Sequence, residues 1–268
     1  MLKYGWSYIS TINIDETYGR NAMKFITTYT KEAGICIGYS KELSIESKPE
    51  DYDAVVEKLV ENSKARVVVT FLYIPMARQL QQAITRAGKV GHFIILSTDT
   101  FRQTTYSGLE SSFIGTFATQ LKTNRIAGFE EYYKGISPWR NEDVSPWFGQ
   151  YYEEECQGKY GEACNNFTSV EDFPDFYWST YYGPIADVTS AFVNSLHLFI
   201  EEHCSNVTND RQALRNCYDS DKFLSYLRNI NFQGYTTPVK FDQNGDILGG
   251  YDITYFRNSN ESGYHNRK

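Results

Sequence analysis

Apolar and polar positions divide this chain into two textures. From Trp6 to Ile12 β-branched and aromatic residues dominate, the composition of a half-buried strand. A polar bend, Asn13 to Thr17, follows. Ala22, Phe25, Ile26 and Tyr29 then recur at helical spacing, which predicts a helix from about Tyr18 or Gly19. Gly34 closes it in the manner of a C-cap, and Ile35, Ile37 and Tyr39 alternate as a second strand. Tyr52, Val55, Val56, Leu59 and Val60 make a helical stripe within Pro49 to Asn62. Arg66 to Phe71 is a continuous apolar run, the mark of a strand buried on both faces. Ile74 to Ala87 reads as a helix closed by Gly88, and Phe93 to Leu96 as another buried strand ending in Ser97-Thr98-Asp99. Such alternation predicts right-handed βαβ units on a parallel sheet, an α/β fold.

Ile114 to Thr119 reads as one more strand, and beyond about Leu121 the pattern changes. Aromatic-rich helical segments follow at Phe129 to Tyr133 and Trp147 to Glu155, then a loop-rich stretch through Phe176. Gly183 to His203 is a long helix, with Ile185, Val188, Ala191, Phe192, Leu196 and Phe199 expected on its buried face. Phe223 to Ile230 is a short one. The closing VKFDQNGDILGGYDITYF alternates as two strands about Asn244-Gly245, a hairpin signal. From Asn258 the chain is polar and reads as frayed.

Composition narrows the partners. The 268 residues can bury a real core, and the net charge of −7, with no basic cluster, excludes a nucleic-acid partner. No apolar run approaches the ~18 residues of a membrane span, and Met1 is followed by no secretory signal. Three glycosylation acceptors, Asn166-Phe-Thr, Asn206-Val-Thr and Asn260-Glu-Ser, nevertheless point outside the cell. So do two closely spaced cysteine pairs, Cys156 with Cys164 and Cys204 with Cys217. A local bridge of either size would contribute roughly 2–3 kcal/mol in the chain-entropy model. Cys36 is left over, either a buried free thiol or one half of a bond to a partner outside this chain. An extracellular chain needs its signal peptide upstream, so the sequence is expected to be a fragment.

Catalytic signatures fail throughout: there is no G-x-G-x-x-G after a strand, no phosphate loop, no H-E-x-x-H and no G-x-S-x-G. His92, His197, His203 and His265 lack ligand spacing beside cysteine. Asp242-x-Asn244-x-Asp246 imitates a calcium loop, but its glycine comes too early and Ile253 stands where the bidentate glutamate belongs. No metal, cofactor or catalytic residue is expected. What remains is Tyr18, at the carboxyl end of a strand and the mouth of a helix, where open α/β sheets place ligands. Packing of Tyr18 against its own helix is the alternative.

Several stretches together resemble the ligand-binding ectodomain of class C G-protein-coupled receptors, metabotropic glutamate receptors above all. They are Trp6-Ser-Tyr-Ile-Ser, Tyr18-Gly19, Gly34-Ile-Cys-Ile, Ala65-Arg-Val-Val-Val, Pro146-Trp147-Phe148 and Phe241-Asp-Gln-Asn-Gly-Asp246 with Gly250-Tyr251-Asp-Ile. Each is weak alone; in this order and spacing the set is specific. The resemblance implies a type I periplasmic-binding-protein-like clamshell, with lobe two complete and lobe one partial. Residues 1–121 would form lobe two, 122–235 the carboxyl-terminal part of lobe one, and 236–268 a closing hairpin returning to lobe two and the exit.

The same resemblance places Tyr18 and Asp99 where the family holds a ligand's α-ammonium. Physical chemistry agrees, since a carboxylate behind a buried strand is costly to desolvate without a cation. A tyrosine face is worth roughly 0.5–2 kcal/mol against an ammonium. The competing reading of Asp99 is a helix N-cap. At the side-chain end of the pocket the chain departs from the family. Tyr181, two before Gly183, stands in place of a basic residue, and Thr104, five after Asp99, in place of an arginine. Arg102 could substitute if its loop is shifted. Burying a γ-carboxylate without its cation costs roughly 3–5 kcal/mol, more than about a hundredfold in affinity. The expected ligand is therefore an α-amino acid other than glutamate, with an uncharged, aromatic or otherwise non-acidic side chain.

By the same likeness Cys156–Cys164 and Cys204–Cys217 are bridges within lobe one, and Cys36 binds a cysteine-rich domain that leads to the membrane. The implied protein is a receptor at the extracellular face of the plasma membrane, homo- or heterodimeric and coupled to a heterotrimeric G protein. It binds and signals; it does not catalyse. A soluble amino-acid-binding protein of the same fold is the rival; a downstream cysteine-rich segment and seven apolar spans in the longer reading frame would exclude it. An enzyme using Asp99 and Tyr18 as acid and base lacks any nucleophile, metal or phosphate loop.

Overall fold

The chain folds into two compact units, residues 1–120 with 251–268 and residues 121–250. The structure is a computed structural model describing residues 1–101, 109–136, 146–166, 169–173, 176, 178–207, 210–247, 249–257 and 266–267.

The first unit is built on one sheet. Its strands are β1 (Tyr8–Ile14), β2 (Cys36–Leu43), β3 (Val67–Phe71), β4 (Ile94–Ser97), β5 (Thr116–Leu121), β8 (Tyr251–Phe256) and β9 (Asn266–Arg267), in the order β2-β1-β3-β4-β5-β8-β9. The first five pair in parallel, with Ile9 beside both Ile37 and Val67 and Val68 beside Ile95. β8 joins beside β5, where the Gly115 N–H donates to the Phe256 carbonyl. The helices between these strands are α1 (Thr17–Glu32), α2 (Pro49–Glu61) and α3 (Ile74–Arg86).

Strand alternation sorts the core. Ile12, Ile14, Val68 and Ile95 face α2 and α3, packing with Tyr52, Val56, Leu59, Leu80 and Ile84. The opposite residues Ile9, Val67, Val69, Ile94 and Leu96 gather with Ile26 of α1 and its C-cap residue Ala33. α1 and α3 both end in Schellman turns. Gly34 and Gly88 adopt positive φ, and the following Ile35 and Lys89 donate back to the Thr30 and Ile84 carbonyls. α1 itself buries little beyond Gly19 and Thr30, and Phe25 of its predicted apolar stripe is 77% exposed.

The second unit holds α4 (Phe129–Gly135), α5 (Phe148–Tyr160), α6 (Tyr182–His203), α7 (Arg211–Cys217) and α8 (Ser220–Asn229). It also holds an antiparallel pair, β6 (Asn231–Gln233) with β7 (Pro238–Lys240). Both local disulfides form, Cys156–Cys164 under α5 and Cys204–Cys217 after α6. The half-cystines sit in separate aromatic clusters, one with Tyr152 and Phe173, the other with Phe199 and Phe223.

Two details differ from the sequence expectation. The buried face of α6 is Gly183, Asp187, Ala191, Ser195 and Phe199, at strict four-residue spacing, while Ile185, Val188 and Phe192 are exposed. Close backbone approach selects the small residues: a Cβ on Gly183 would collide with the side chains of Thr236 and Thr123. Among the described residues the closing hairpin retains the bridge Phe241 to Ile247, because β7 pairs with β6 and β8 joins the sheet of the first unit. Its turn is intact, with Asp242 Oδ1 accepting from the Asn244 and Asp246 amides at 2.8 and 2.9 Å. Those bonds hold the Asp242 carboxyl below its ordinary range and explain the calcium-like spacing as a turn.

Candidate functional site

The order β2-β1-β3-β4-β5 reverses direction at β1, since the chain moves outward to β2 and then back past β1 to β3. Open parallel sheets form a crevice at the carboxyl ends of such strands. Here that place is furnished by Tyr18 after β1, Tyr73 after β3, and Thr98 with Asp99 after β4.

Tyr18 is the second residue of α1 and is fixed by its neighbour. Gly19 packs so closely on Ile14 that a Cβ there would collide with the Ile14 carbonyl oxygen. The start of α1 is thereby held against the end of β1. The Tyr18 ring, 40% exposed, lies parallel to that of Tyr73, with centroids 5.9 Å apart and 9° between planes. It meets Phe71 edge-on at 6.0 Å. Its hydroxyl donates to Thr98 Oγ1 at 3.3 Å, and Thr98 and Thr100 share a further contact of 3.4 Å.

Asp99 adjoins Thr98 and opens a three-residue 3-10 turn anchored by the fully buried Phe101. Burial pushes the Tyr18 phenol above its ordinary value; the Thr98 hydrogen bond opposes that, and the negative charge of Asp99 adds to it. Of the two groups named from sequence for an ammonium, the Asp99 carboxylate thus lies close enough to Tyr18 to disfavour ionisation of its phenol. Arg102 and Thr104 lie outside the described residues.

Sequence reasoning passed over Tyr73 and Glu16. Tyr73 is the N-cap residue of α3, and its hydroxyl donates to Glu16 Oε2 at 2.9 Å. That bond to a carboxylate, ahead of desolvation, raises the Tyr73 phenol pKa. Glu16 in turn is the N-cap residue of α1, and its neighbour Asp15 pairs with Arg20. The signal that could have found Tyr73 is topological: an aromatic two residues beyond a doubly buried strand.

In the second unit Tyr181 is the N-cap residue of α6, with its amide donating to Ser179 Oγ at 3.2 Å. The sixth residue of α6, Asp187, is 5% exposed and accepts from the amides of Tyr235 and Thr236 and from the Thr236 hydroxyl. This carboxylate ties the loop between β6 and β7 to the helix.

The remaining candidates are scattered. Cys36 is a free, exposed thiol at the start of β2, beside Tyr8 of β1. Asn206 is exposed in a 3-10 turn, Asn166 ends another, and Asn260 lies outside the described residues. His197 pairs with Glu201, His203 meets Lys222 Nζ at 3.3 Å, and His265 is outside the described residues. Among the described residues no cluster of His, Cys, Asp and Glu could hold a metal. No described helix is long and apolar enough to cross a membrane.

Comparison with known proteins gives a consistent result. Residues 1–258 match a family described as the receptor family ligand-binding region. The chain is 28% identical over 272 residues to metabotropic glutamate receptor 6 of Oryctolagus cuniculus, covering 96% of this chain and 31% of that receptor. It is 25% identical to metabotropic glutamate receptor 8 of Rattus norvegicus and 26% to metabotropic glutamate receptor 4 of Mus musculus. Those two alignments each cover 96% of this chain and 30% of the receptor. The chain therefore spans under a third of the length of these relatives.

Proposed function

Because this chain belongs to the receptor-family ligand-binding region, in its class C, metabotropic glutamate receptor-like form, we propose that it supplies part of an extracellular amino-acid site. In this reading Tyr18 and Asp99 hold the ligand's α-ammonium, Tyr18 through its ring face and Asp99 through its charge. Tyr181, Thr104 and Arg102 belong to the side-chain end. Tyr181 and Thr104 replace the cations that would receive an acidic side chain, so the ligand is an α-amino acid other than glutamate. Its higher affinity for a closed clamshell shifts the population toward closure. A receptor dimer at the cell surface passes that change to a G protein. Cys36 bonds a cysteine-rich domain on the path to the membrane.

The observation that carries the reading is the Tyr18–Thr98 hydrogen bond beside Asp99, at the reversal point of the sheet. It brings an aromatic ring and a carboxylate together from segments 80 residues apart. The test is calorimetry of the full-length ectodomain against the twenty common amino acids. At least one non-acidic amino acid should bind, and Asp99→Asn should weaken it by roughly tenfold or more. Micromolar glutamate binding overturns the ligand assignment; no binding by any amino acid overturns the site.

A further inference from the structure

Resting on that amino-acid reading, we propose that Tyr73 and Glu16 belong to the same site, and that with Tyr18 they select an amino acid whose side chain carries a second positive charge. Tyr18 follows β1 and Tyr73 follows β3, the two neighbouring strands at which the connection order reverses. They therefore flank the crevice where such sheets take their ligands. Their rings are parallel and 5.9 Å apart. A planar group between them would need about 7 Å, two contacts of about 3.5 Å. Nothing inserts, and the pair acts as one aromatic wall approached from outside.

Charge decides what that wall prefers. Tyr73 donates its hydroxyl proton to Glu16 at 2.9 Å, so its ring is drawn toward phenolate character and its face becomes more negative. A carboxylate has about four lone-pair sites, and one tyrosine hydroxyl occupies one of them. Glu16 retains acceptor capacity for a ligand group. The nearby Arg20 is paired with Asp15. An acidic side chain would face Glu16 and two electron-rich rings, whereas a purely aromatic one would leave Glu16 unused. A guanidinium can lie flat on a tyrosine and donate to a carboxylate at once. With the α-ammonium at Asp99, the ligand would carry two cationic ends, each with its own carboxylate and a shared aromatic surface.

The rival is structural: Glu16 and Tyr73 are N-cap residues of α1 and α3, and their bond could serve only to join two helix starts. Binding of L-arginine, L-alanine and L-glutamate to the full-length protein separates the two. L-arginine should bind tighter than L-alanine by about tenfold. Glu16→Gln, at an exposed position and so safe for folding, should reduce that preference by about fivefold, and Tyr73→Ala by as much. Alanine affinity should fall less than arginine affinity in either variant. Tyr73→Phe, which keeps the stack and loses the Glu16 bond, should fall between. An arginine preference unchanged in both Glu16→Gln and Tyr73→Ala overturns the inference, as does glutamate binding tighter than arginine. Arginine and alanine binding equally well overturns this inference alone; failure of every amino acid to bind removes the underlying reading with it.

Discussion

The Tyr18 hydroxyl donates to Thr98 Oγ1 at 3.3 Å, although the two residues stand 80 positions apart in the chain. Only a sheet that sets β1 and β4 on either side of β3 can bring these ends together. The bond itself is long and half-exposed, so its own contribution to stability is small, about 0.5–1.5 kcal/mol at most. Its consequence is positional: it aims the phenol toward the turn that carries Asp99.

That division of labour gives unequal variants. Tyr18→Phe keeps the ring and its stack on Tyr73, and should change amino-acid affinity by less than about threefold. Tyr18→Ala removes the face and should weaken binding by about tenfold, within the range of a cation–π contact. Calorimetry on the three proteins checks the order. Equal losses for phenylalanine and alanine would mean that the hydroxyl, not the face, does the recognising.

Gly19 has no room for a Cβ against Ile14. Gly19→Ala must therefore lift α1 off the end of β1 or distort the turn, at a cost of about 1–3 kcal/mol. A chain of this size should lose roughly 3–10 °C in Tm. Because Tyr18 is the adjacent residue, ligand affinity should fall as well. A scanning calorimeter and the binding assay read the two effects separately, and a variant with unchanged Tm contradicts the packing argument.

How much of this was legible beforehand follows from where the information sits. Val67 to Phe71 and Ile94 to Ser97 announce themselves because strands buried on both faces must be apolar throughout. Gly34 and Gly88 mark helix ends because only their positive φ closes a Schellman turn cheaply. The face of α6 was misread for a physical reason. Periodicity counts bulky apolar residues, whereas the buried line of this helix is Gly183, Asp187, Ala191, Ser195 and Phe199. A carboxylate and a hydroxyl replace apolar bulk there. Tyr18 is legible from the strand-to-helix turn it follows, whereas the pairing of Tyr18 with Asp99 is legible only through the family resemblance, since sheet order is a non-local choice that periodicity does not show. Tyr73 carries no local signal, because its stacking partner lies 55 positions away in the chain.

Asp187 supplies a test of that buried polar line. Its carboxylate is the acceptor for two backbone amides and one hydroxyl of the β6–β7 loop. Asp187→Asn replaces one acceptor oxygen with a donor that faces other donors, and should cost about 1–3 kcal/mol. Asp187→Leu strands all three donors and should cost more. Denaturant titration measures both, and equal midpoints for wild type and the leucine variant would show that water satisfies the loop.

The buried tyrosines set an alkaline limit on the fold. Tyr52, on the buried face of α2 and almost wholly inside the core, has its phenol pushed up from 10.0 to about 12, by burial first and the charge of Asp51 second. Tyr133 is likewise raised to about 12, chiefly by burial and then by Tyr182. Above pH 10 the unfolded chain gives up these protons while the native chain keeps them. The unfolded state then binds fewer protons, and stability falls with rising pH. Stability fully present below the ordinary value of 10.0 should be lost as the pH climbs through about 12. Circular dichroism across that window should show cooperative unfolding, with tyrosinate absorbance at the same midpoint. In Tyr52→Phe, which keeps the ring and removes the ionisable proton, the midpoint should move to higher pH while the neutral-pH Tm changes little. A midpoint that stays where it was would place the alkaline sensitivity in other groups and leave Tyr52 a packing residue only.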